Sequence, residues 1–452
     1  MRKTIKLLFF VTCWTLSFHI VAAKNAAALT FIRDAEIENT IALFAKPIFD
    51  AAGLEADNIQ IYLVKDSRLN AFVAGGQKLF IHTGLLQRSR TPEQVIGVIA
   101  HETGHIAGGH LSRLRQKMQS ASPESILGYV LGGAAVLAGR PDAGSALILG
   151  GQDMAMRSLL QYSRTEEGSA DQAAISYLEA KKVSSKGLLQ FFEILKQNEL
   201  TTTANQNPYI RSHPLTAERI SFLNDHVKKS QYSQKRVPAQ YIEMHARMRA
   251  KLDSYLLPAA HTMRLYPLGD NSIAARYARA QAYHKDSQLD KALREVDTLI
   301  TERPKDPFFH ELKGQILFEN GKLMDAISAY EKAVEILPNQ PQLLLALGRS
   351  YLETEDPLHL GNAITLLEQS VQRDKKSSFV WRQLGIAYGR SGRMAESSLA
   401  LAEEAYLQRR YKDAIYLAGR AEKDLKTGSR HWIQAQDLRL TAERLLKKQK
   451  KK

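Results

Sequence analysis

The sequence predicts an α+β fold in two parts: a mainly helical domain carrying a small β-sheet, followed by an all-α tetratricopeptide-repeat solenoid. Three observations predict it. Alternating apolar and polar residues occur in short runs around residues 58–82, as in half-buried strands. Helical apolar spacing flanks those runs on both sides. From about residue 270, small and aromatic residues recur with a period of 34. The chain of 452 residues is long enough for two or three domains.

The amino terminus reads as a leader. Arg2, Lys3 and Lys6 precede an apolar stretch from Leu7 to about Ala22, and Val21-Ala22-Ala23 fits a small-residue cleavage site. Residues 1–23 are therefore expected to be a signal peptide, which directs the chain to the periplasm; a second candidate cut follows Ala28. The single cysteine, Cys13, lies inside this leader, so the rest of the chain has neither disulfides nor a thiol nucleophile. No later stretch reaches about 18 uninterrupted apolar residues, so no further membrane span is expected. Losing Arg2, Lys3 and Lys6 lowers the net charge from +15 to +12. The excess is diffuse, apart from a basic tail at 447–452 that reads as solvated and frayed. A secreted chain without a nucleic-acid motif points to an anionic envelope surface or acidic partners, not to nucleic acid.

The first helix is expected near Asp34–Ala52, with Ile37, Ile41, Phe44 and Ile48 on one face. Asn58–Val64, Ala71–Ala74 and Lys78–His82 read as strands, with Gly75-Gly76 turning the chain between the last two. One of these strands is expected to form an edge beside the next helix. An exposed edge binds an extended peptide through backbone hydrogen bonds. Thr91-Pro92-Glu93-Gln94 reads as that helix's start: cap, proline at the first position, and glutamine at the capping-box position. The apolar run Val95–Ala100 then buries it.

The same helix carries His101-Glu102-Thr103-Gly104-His105. Residues four apart share a helix face, so His101 and His105 can offer both imidazoles to one metal ion. Glu102 can take the proton of a water held there. The motif therefore points to zinc-dependent peptide hydrolysis with one Zn2+ per chain, and zinc needs a third protein ligand. Two sources compete. An extended HExxHxxGxxH motif has Gly108 in place, but its third position is Leu111, and His110 comes one residue early, about 100° round the helix. The alternative is a glutamate on a later helix. In Ser163–Asp171, Glu167 and Asp171 are four apart and face the same way. Glu167 would bind zinc, and Asp171 would accept a hydrogen bond from a ligand histidine and fix its tautomer. Glu166 points about 100° away and ranks below Glu167. Between these segments, Ile126–Gly151 is rich in Gly, Ala, Leu and Val and reads as two short apolar helices broken at Gly139-Arg140-Pro141-Asp142. A lid over the zinc cleft, a peripheral membrane or client contact, and ordinary buried helices are the competing readings.

The second half is a repeat array. Ala280, Tyr283, Ala292 and Pro304 mark one unit, and Gly314, Ala326, Tyr330, Ala333 and Pro338 mark the next. Gly348, Tyr351 and Ala363 belong to a third, while Trp381, Leu384, Gly385 and Tyr388 open a fourth. Ala402, Ala405 and Ala414 fit a fifth, irregular unit, capped by a helix from about Trp432 to Leu446. Small residues let paired helices approach, and stacked pairs form a solenoid whose concave face binds peptides or proteins.

Phe31–Glu36, Asn70–Gly76, Thr83–Leu86, the HETGH motif, the EGSAD segment and Ser212-His213-Pro214-Leu215 together resemble the HtpX/CAAX-prenyl-endopeptidase family of zinc metallopeptidases, in particular its periplasmic members with a tetratricopeptide tail. The resemblance implies a zincin-type metallopeptidase domain over 24–266 and repeats over 270–446. It implies His101, His105 and Glu167 as zinc ligands, Glu102 as the catalytic base and Asp171 behind a ligand. It also implies that His213 approaches the metal, as a transition-state contact or as a reversible inhibitory fourth ligand, and that Arg219 lies near the site. The implied work is quality control of unfolded or misassembled envelope proteins, with the outer-membrane β-barrel assembly machinery docking on the repeats. The runner-up reading is a chaperone or scaffold with a latent zinc site.

Overall fold

The computed structural model describes residues 30–120, 152–201 and 208–450. The leader and the Ile126–Gly151 segment lie outside the described residues. Asp34 caps α1 (Ala35–Ala51), accepting from the Ile37 amide at 2.9 Å. Strands β1 (Phe31–Ile32), β2 (Gln60–Val64), β3 (Ala71–Ala74) and β4 (Lys78–His82) form one sheet in the order β1-β2-β4-β3. β2 and β4 run parallel, while β3 and β4 form a hairpin whose turn holds Gly75 and Gly76 at positive φ. β3 is thus an edge strand, and it lies against α3 (Pro92–Ala107), reached through α2 (Thr83–Arg88).

The start of α3 departs in detail from its sequence reading. Pro92 is at the first helical position, but the Thr91 hydroxyl makes no cap bond. Gln94 instead accepts from the Arg90 amide at 2.7 Å, one residue earlier than a capping box requires. α3 is followed by α4 (His110–Ser120), α5 (Gln152–Ala180), α6 (Lys186–Thr201), α7 (Pro208–Ser212) and α8 (Ala217–Lys229). The sheet, α1, α3, α5 and α6 close around one core that includes Ile41, Phe44, Leu63, Leu79, Val98, Leu178, Phe191 and Phe192. Gly97 makes this possible: a Cβ there would stand 2.8 Å from the backbone of Leu188 on α6. Burying this apolar surface supplies the main stabilisation, at about 25 cal/mol per Å2 removed from water.

Beyond α9 (Ala239–Leu256) and α10 (Ala259–Leu265) the chain is built of paired helices. The pairs are α11 (Ile273–Lys285) with α12 (Leu289–Glu302), α13 (Pro307–Glu319) with α14 (Leu323–Ile336), and α15 (Pro341–Glu353) with α16 (Pro357–Arg373). Next come α17 (Ser378–Arg390) with α18 (Met394–Leu407) and α19 (Tyr411–Asp424) with α20 (Arg430–Lys450). Gly314 shows why small residues recur: a Cβ there would stand 2.7 Å from the Tyr330 ring of the paired helix. Ala402 and Ala405 lie on α18 and so belong to the fourth pair, and α20 is the second helix of the fifth. It continues to Lys450, so the basic residues Lys447, Lys448 and Lys450 occupy its last turns, where cations favour the helix dipole. Among the described residues, no helix is long and apolar enough to cross a membrane.

α9 belongs to both halves. Met248 and Leu252 enter the first core. Arg247 and Lys251 face the repeats, with the Arg247 guanidinium 4.4 Å from the Phe309 ring centre. Arg247 pairs with Glu36 at 2.6 Å and Asp306 at 2.5 Å, and Lys251 with Asp34 at 2.8 Å. Glu311, part-buried in the same cluster, is pushed up to about 7 by desolvation, with Lys251 opposing and Asp34 and Glu36 reinforcing the rise. Farther along, Arg33 reaches Asp374 at 2.7 Å and Gln342 reaches Glu38 at 2.6 Å. Arg247→Met leaves buried Glu36 and part-buried Asp306 short of a cation and should cost about 3–5 kcal/mol in urea unfolding. Arg33→Ala, at an exposed pair, should cost under about 1 kcal/mol in the same assay.

Candidate metal centre

Two helices and one loop build the site. α3 presents His101 and His105 on one face, one turn apart, and α5 presents Glu167 and Asp171 in the same way. The helices cross closely because residue 104 is glycine: a Cβ there would lie 2.9 Å from the Ala170 carbonyl oxygen. α7 ends at Ser212, which delivers His213 into the same cavity, and Arg219 follows in the first turn of α8.

His101 Nε2 stands 3.2 Å from His105 Nε2, 3.3 Å from His213 Nδ1 and 3.3 Å from a Glu167 oxygen. Glu167 stands 3.3 Å from His105 Nε2 and 3.1 Å from His213 Nδ1. Four donors bound 2.0–2.1 Å from one tetrahedral zinc ion are separated by roughly 3.3 Å. The spacing therefore fits zinc, and the four ligating atoms all lie within 4.8 Å of one another. All four residues are buried. Lone pairs converging this tightly repel one another unless a cation or a proton lies among them.

The partners behind the donors fix which atoms face inward. Asp171 sits 2.9 Å from His101 Nδ1, which leaves Nε2 for the centre. Arg219 holds Asp171 with Nε at 2.6 Å and Nη2 at 2.9 Å, and its Nη1 lies 3.1 Å from Glu167. Burial opposes charge on His101, but Asp171 and Glu167 outweigh it and raise its pKa to about 9. Burial would likewise raise the Glu167 carboxyl, yet His213, His101 and His105 hold it well below its ordinary value. An anionic, buried ligand set of this kind favours a bound cation.

Glu102 lies beside the cluster, fully buried, with His213 Nε2 3.4 Å from one oxygen. Neither of its carboxylate oxygens has a hydrogen-bond partner among the described residues. A desolvated carboxylate without partners is costly, and a water at the metal position would satisfy it. All seven residues singled out from the sequence, His101, Glu102, His105, Glu167, Asp171, His213 and Arg219, thus come together in one cluster.

Other residues of the cluster escaped the sequence reading. Tyr209 is buried, with its ring 4.6 Å from the His213 ring. His110 and Glu166, weighed only as zinc ligands, are not ligands, yet both are part of the site. His110 Nδ1 is 2.8 Å from His105 Nδ1, and His110 Nε2 is 2.7 Å from Glu166. The pair Gly108-Gly109 was the available signal, because it ends α3 and lets the chain turn back on itself.

Two helices bearing two histidines, an adjacent glutamate and a distant carboxylate define a zinc metallopeptidase. Residues 32–227 match the sequence model of Peptidase family M48, and residues 314–354 match that of a TPR repeat. Residues 32–227 thus form an M48-type metallopeptidase domain, and a tetratricopeptide repeat lies beyond it. The chain is similar to the Beta-barrel assembly-enhancing protease of Escherichia coli K12, 23% identical over 385 residues that cover 81% of this chain and 75% of that one. The Yersinia pestis protein of the same name is 24% identical over 86% of this chain and 80% of its own. Metalloprotease LoiP of Escherichia coli K12 is 27% identical over 37% of this chain and 62% of its own.

Gly104→Ala pushes α3 away from α5. It should lower the stability of the metal-free protein by about 1–3 kcal/mol in urea unfolding. Zinc retained after dialysis against a chelator should fall with it, as measured by atomic absorption.

Proposed function

We propose that this chain is a periplasmic zinc metalloendopeptidase that degrades misfolded or misassembled envelope proteins. In this reading the peptidase domain spans 24–266. Repeats over 270–446 dock clients or the outer-membrane β-barrel assembly machinery. The observation that carries the reading is the buried four-donor cluster with the carboxylate of Glu102, free of hydrogen bonds among the described residues, at its side. The leader-like terminus and the similarity to assembly-enhancing proteases support the compartment and the clients.

His101, His105 and Glu167 hold the ion. Bound zinc supplies Lewis acidity for the scissile carbonyl and lowers the pKa of water. Glu102 takes the proton of the attacking water and returns one to the leaving amine. Asp171 and Arg219 keep His101 aimed. The edge of β3, lying against α3, accepts an extended client segment through its backbone, which gives tolerance of sequence.

His213 has two roles open to it. With Nδ1 at the spacing of a fourth donor, it fills the coordination position that water needs and keeps the enzyme latent. Swung out, the same ring can donate to the oxyanion of the tetrahedral intermediate. The closed arrangement favours the latent role. It also supports a second reading, in which the chain acts mainly as an assembly chaperone whose site seldom opens.

Glu102→Gln should bind zinc as the wild type does and hydrolyse no casein. Retention of envelope function by that variant in cells would favour the chaperone reading. His213→Ala should raise casein hydrolysis by more than about tenfold, a barrier change of 1.4 kcal/mol or more. A rate equal to wild type would refute any role for His213.

A further inference from the structure

The two ligand histidines are not supported alike. His101 rests directly on a carboxylate, Asp171, which Arg219 anchors. Behind His105 stands another imidazole. His110 Nδ1 lies 2.8 Å from His105 Nδ1, and its Nε2 lies 2.7 Å from Glu166. Arg113 anchors Glu166 in turn, through Nη2 at 2.6 Å and Nε at 3.2 Å. Both carboxylates come from α5, so that one helix steers both ligands of α3 while also contributing Glu167.

We propose that His110 and Glu166 form a relay that positions His105 and thereby sets the zinc affinity of the centre. The direction of each hydrogen bond follows from what each atom can do. The 2.7 Å contact of His110 Nε2 with Glu166 lacks hydrogen-bond alignment, but a carboxylate this close favours the proton on the nitrogen that faces it, Nε2. His110 Nδ1 is then a bare acceptor. His105 Nδ1 must donate to it, and this leaves the lone pair of His105 Nε2 pointing at His101, Glu167 and the metal position. Reversing the His105–His110 bond would leave a bare His110 Nε2 facing the Glu166 carboxylate and a proton on His105 Nε2 facing the metal position.

The backbone is built for the relay. α3 stops at Ala107, and Gly109 has φ +64°, which turns the chain so that α4 begins at His110. A Cβ at position 108 would overlap the His110 ring, so only glycine lets that ring fold back on His105. Arg113 Nη1 also donates to the Gly108 carbonyl, tying the turn to the Glu166 anchor. His110 and Glu166 touch no metal position themselves, and they act only through His105.

The inference rests on the zinc reading above, and one titration separates the two. Zinc affinity of the full-length protein is measured by competition with a chromogenic chelator. Thermal unfolding of each metal-free form is recorded alongside. If the wild type binds no zinc, the metal centre itself is refuted. If it binds, His110→Ala and Glu166→Ala should each loosen zinc by roughly 10- to 100-fold. The double variant should loosen it no further, because both changes cut one path. His110→Asn, whose side-chain oxygen can accept where Nδ1 stood, should recover most of the loss. Single variants within about twofold of wild type overturn the relay, as does His110→Asn weakening zinc as much as His110→Ala. Should His110→Ala fail to fold without metal, Glu166→Ala decides alone: wild-type affinity in that variant overturns the proposal.

Discussion

Everything in the first domain answers to one steric constraint: α3 and α5 must cross closely enough for side chains on both to meet at a point. The crossing is set by glycine at 104 against the backbone at Ala170. Because α-helical side chains repeat every turn, the crossing decides several contacts together. His101 and His105 face Glu167, Asp171 falls behind His101, and Glu166 falls behind His110. The apolar runs of both helices, and the packing of α6 against Gly97, hold the crossing rigid. The chemistry thus borrows its accuracy from core packing, as a preorganised centre must.

Polar groups in this centre are costly to bury, and the fold compensates for each in turn. Asp171 is neutralised by Arg219, Glu166 by Arg113, and Glu167 by the imidazoles and Arg219. The guanidinium of Arg219 also lies 4.8 Å from the Phe192 ring centre, so the charge network is seated on the hydrophobic core. Glu102 stands apart from this pattern. Among the described residues neither of its oxygens has a hydrogen bond, which leaves it for a molecule that arrives from outside.

Features that depend on local spacing were legible in the sequence. The i, i+4 pairs on α3 and α5, the strand alternation, the Gly75-Gly76 turn and the 34-residue period all fall where helix and strand geometry put them. What escaped depends on contacts between distant segments. The parallel pairing of β2 with β4 places β3 at the edge, and no pattern within a single strand encodes that order. His110 matters only because two glycines reverse the chain after α3. Ala402 and Ala405 suited a fifth repeat by residue type, yet the helix ends assign them to the fourth. The charged cluster of Asp34, Glu36, Lys251 and Glu311 joins segments far apart in sequence, and no local spacing encodes that convergence.

That cluster also makes the two halves mechanically unequal. The first three helix pairs are tied to α9, to α1 or to the residues just before α1, the last tie being Arg33 to Asp374. Among the described residues, the pairs from Ser378 onward make their main contacts with their neighbours in the stack, as solenoid units do. The array is therefore a cantilever, fixed at its root. A pull on the outer helices is felt as torque at α1 and α9, the elements that brace the floor beneath the zinc helix.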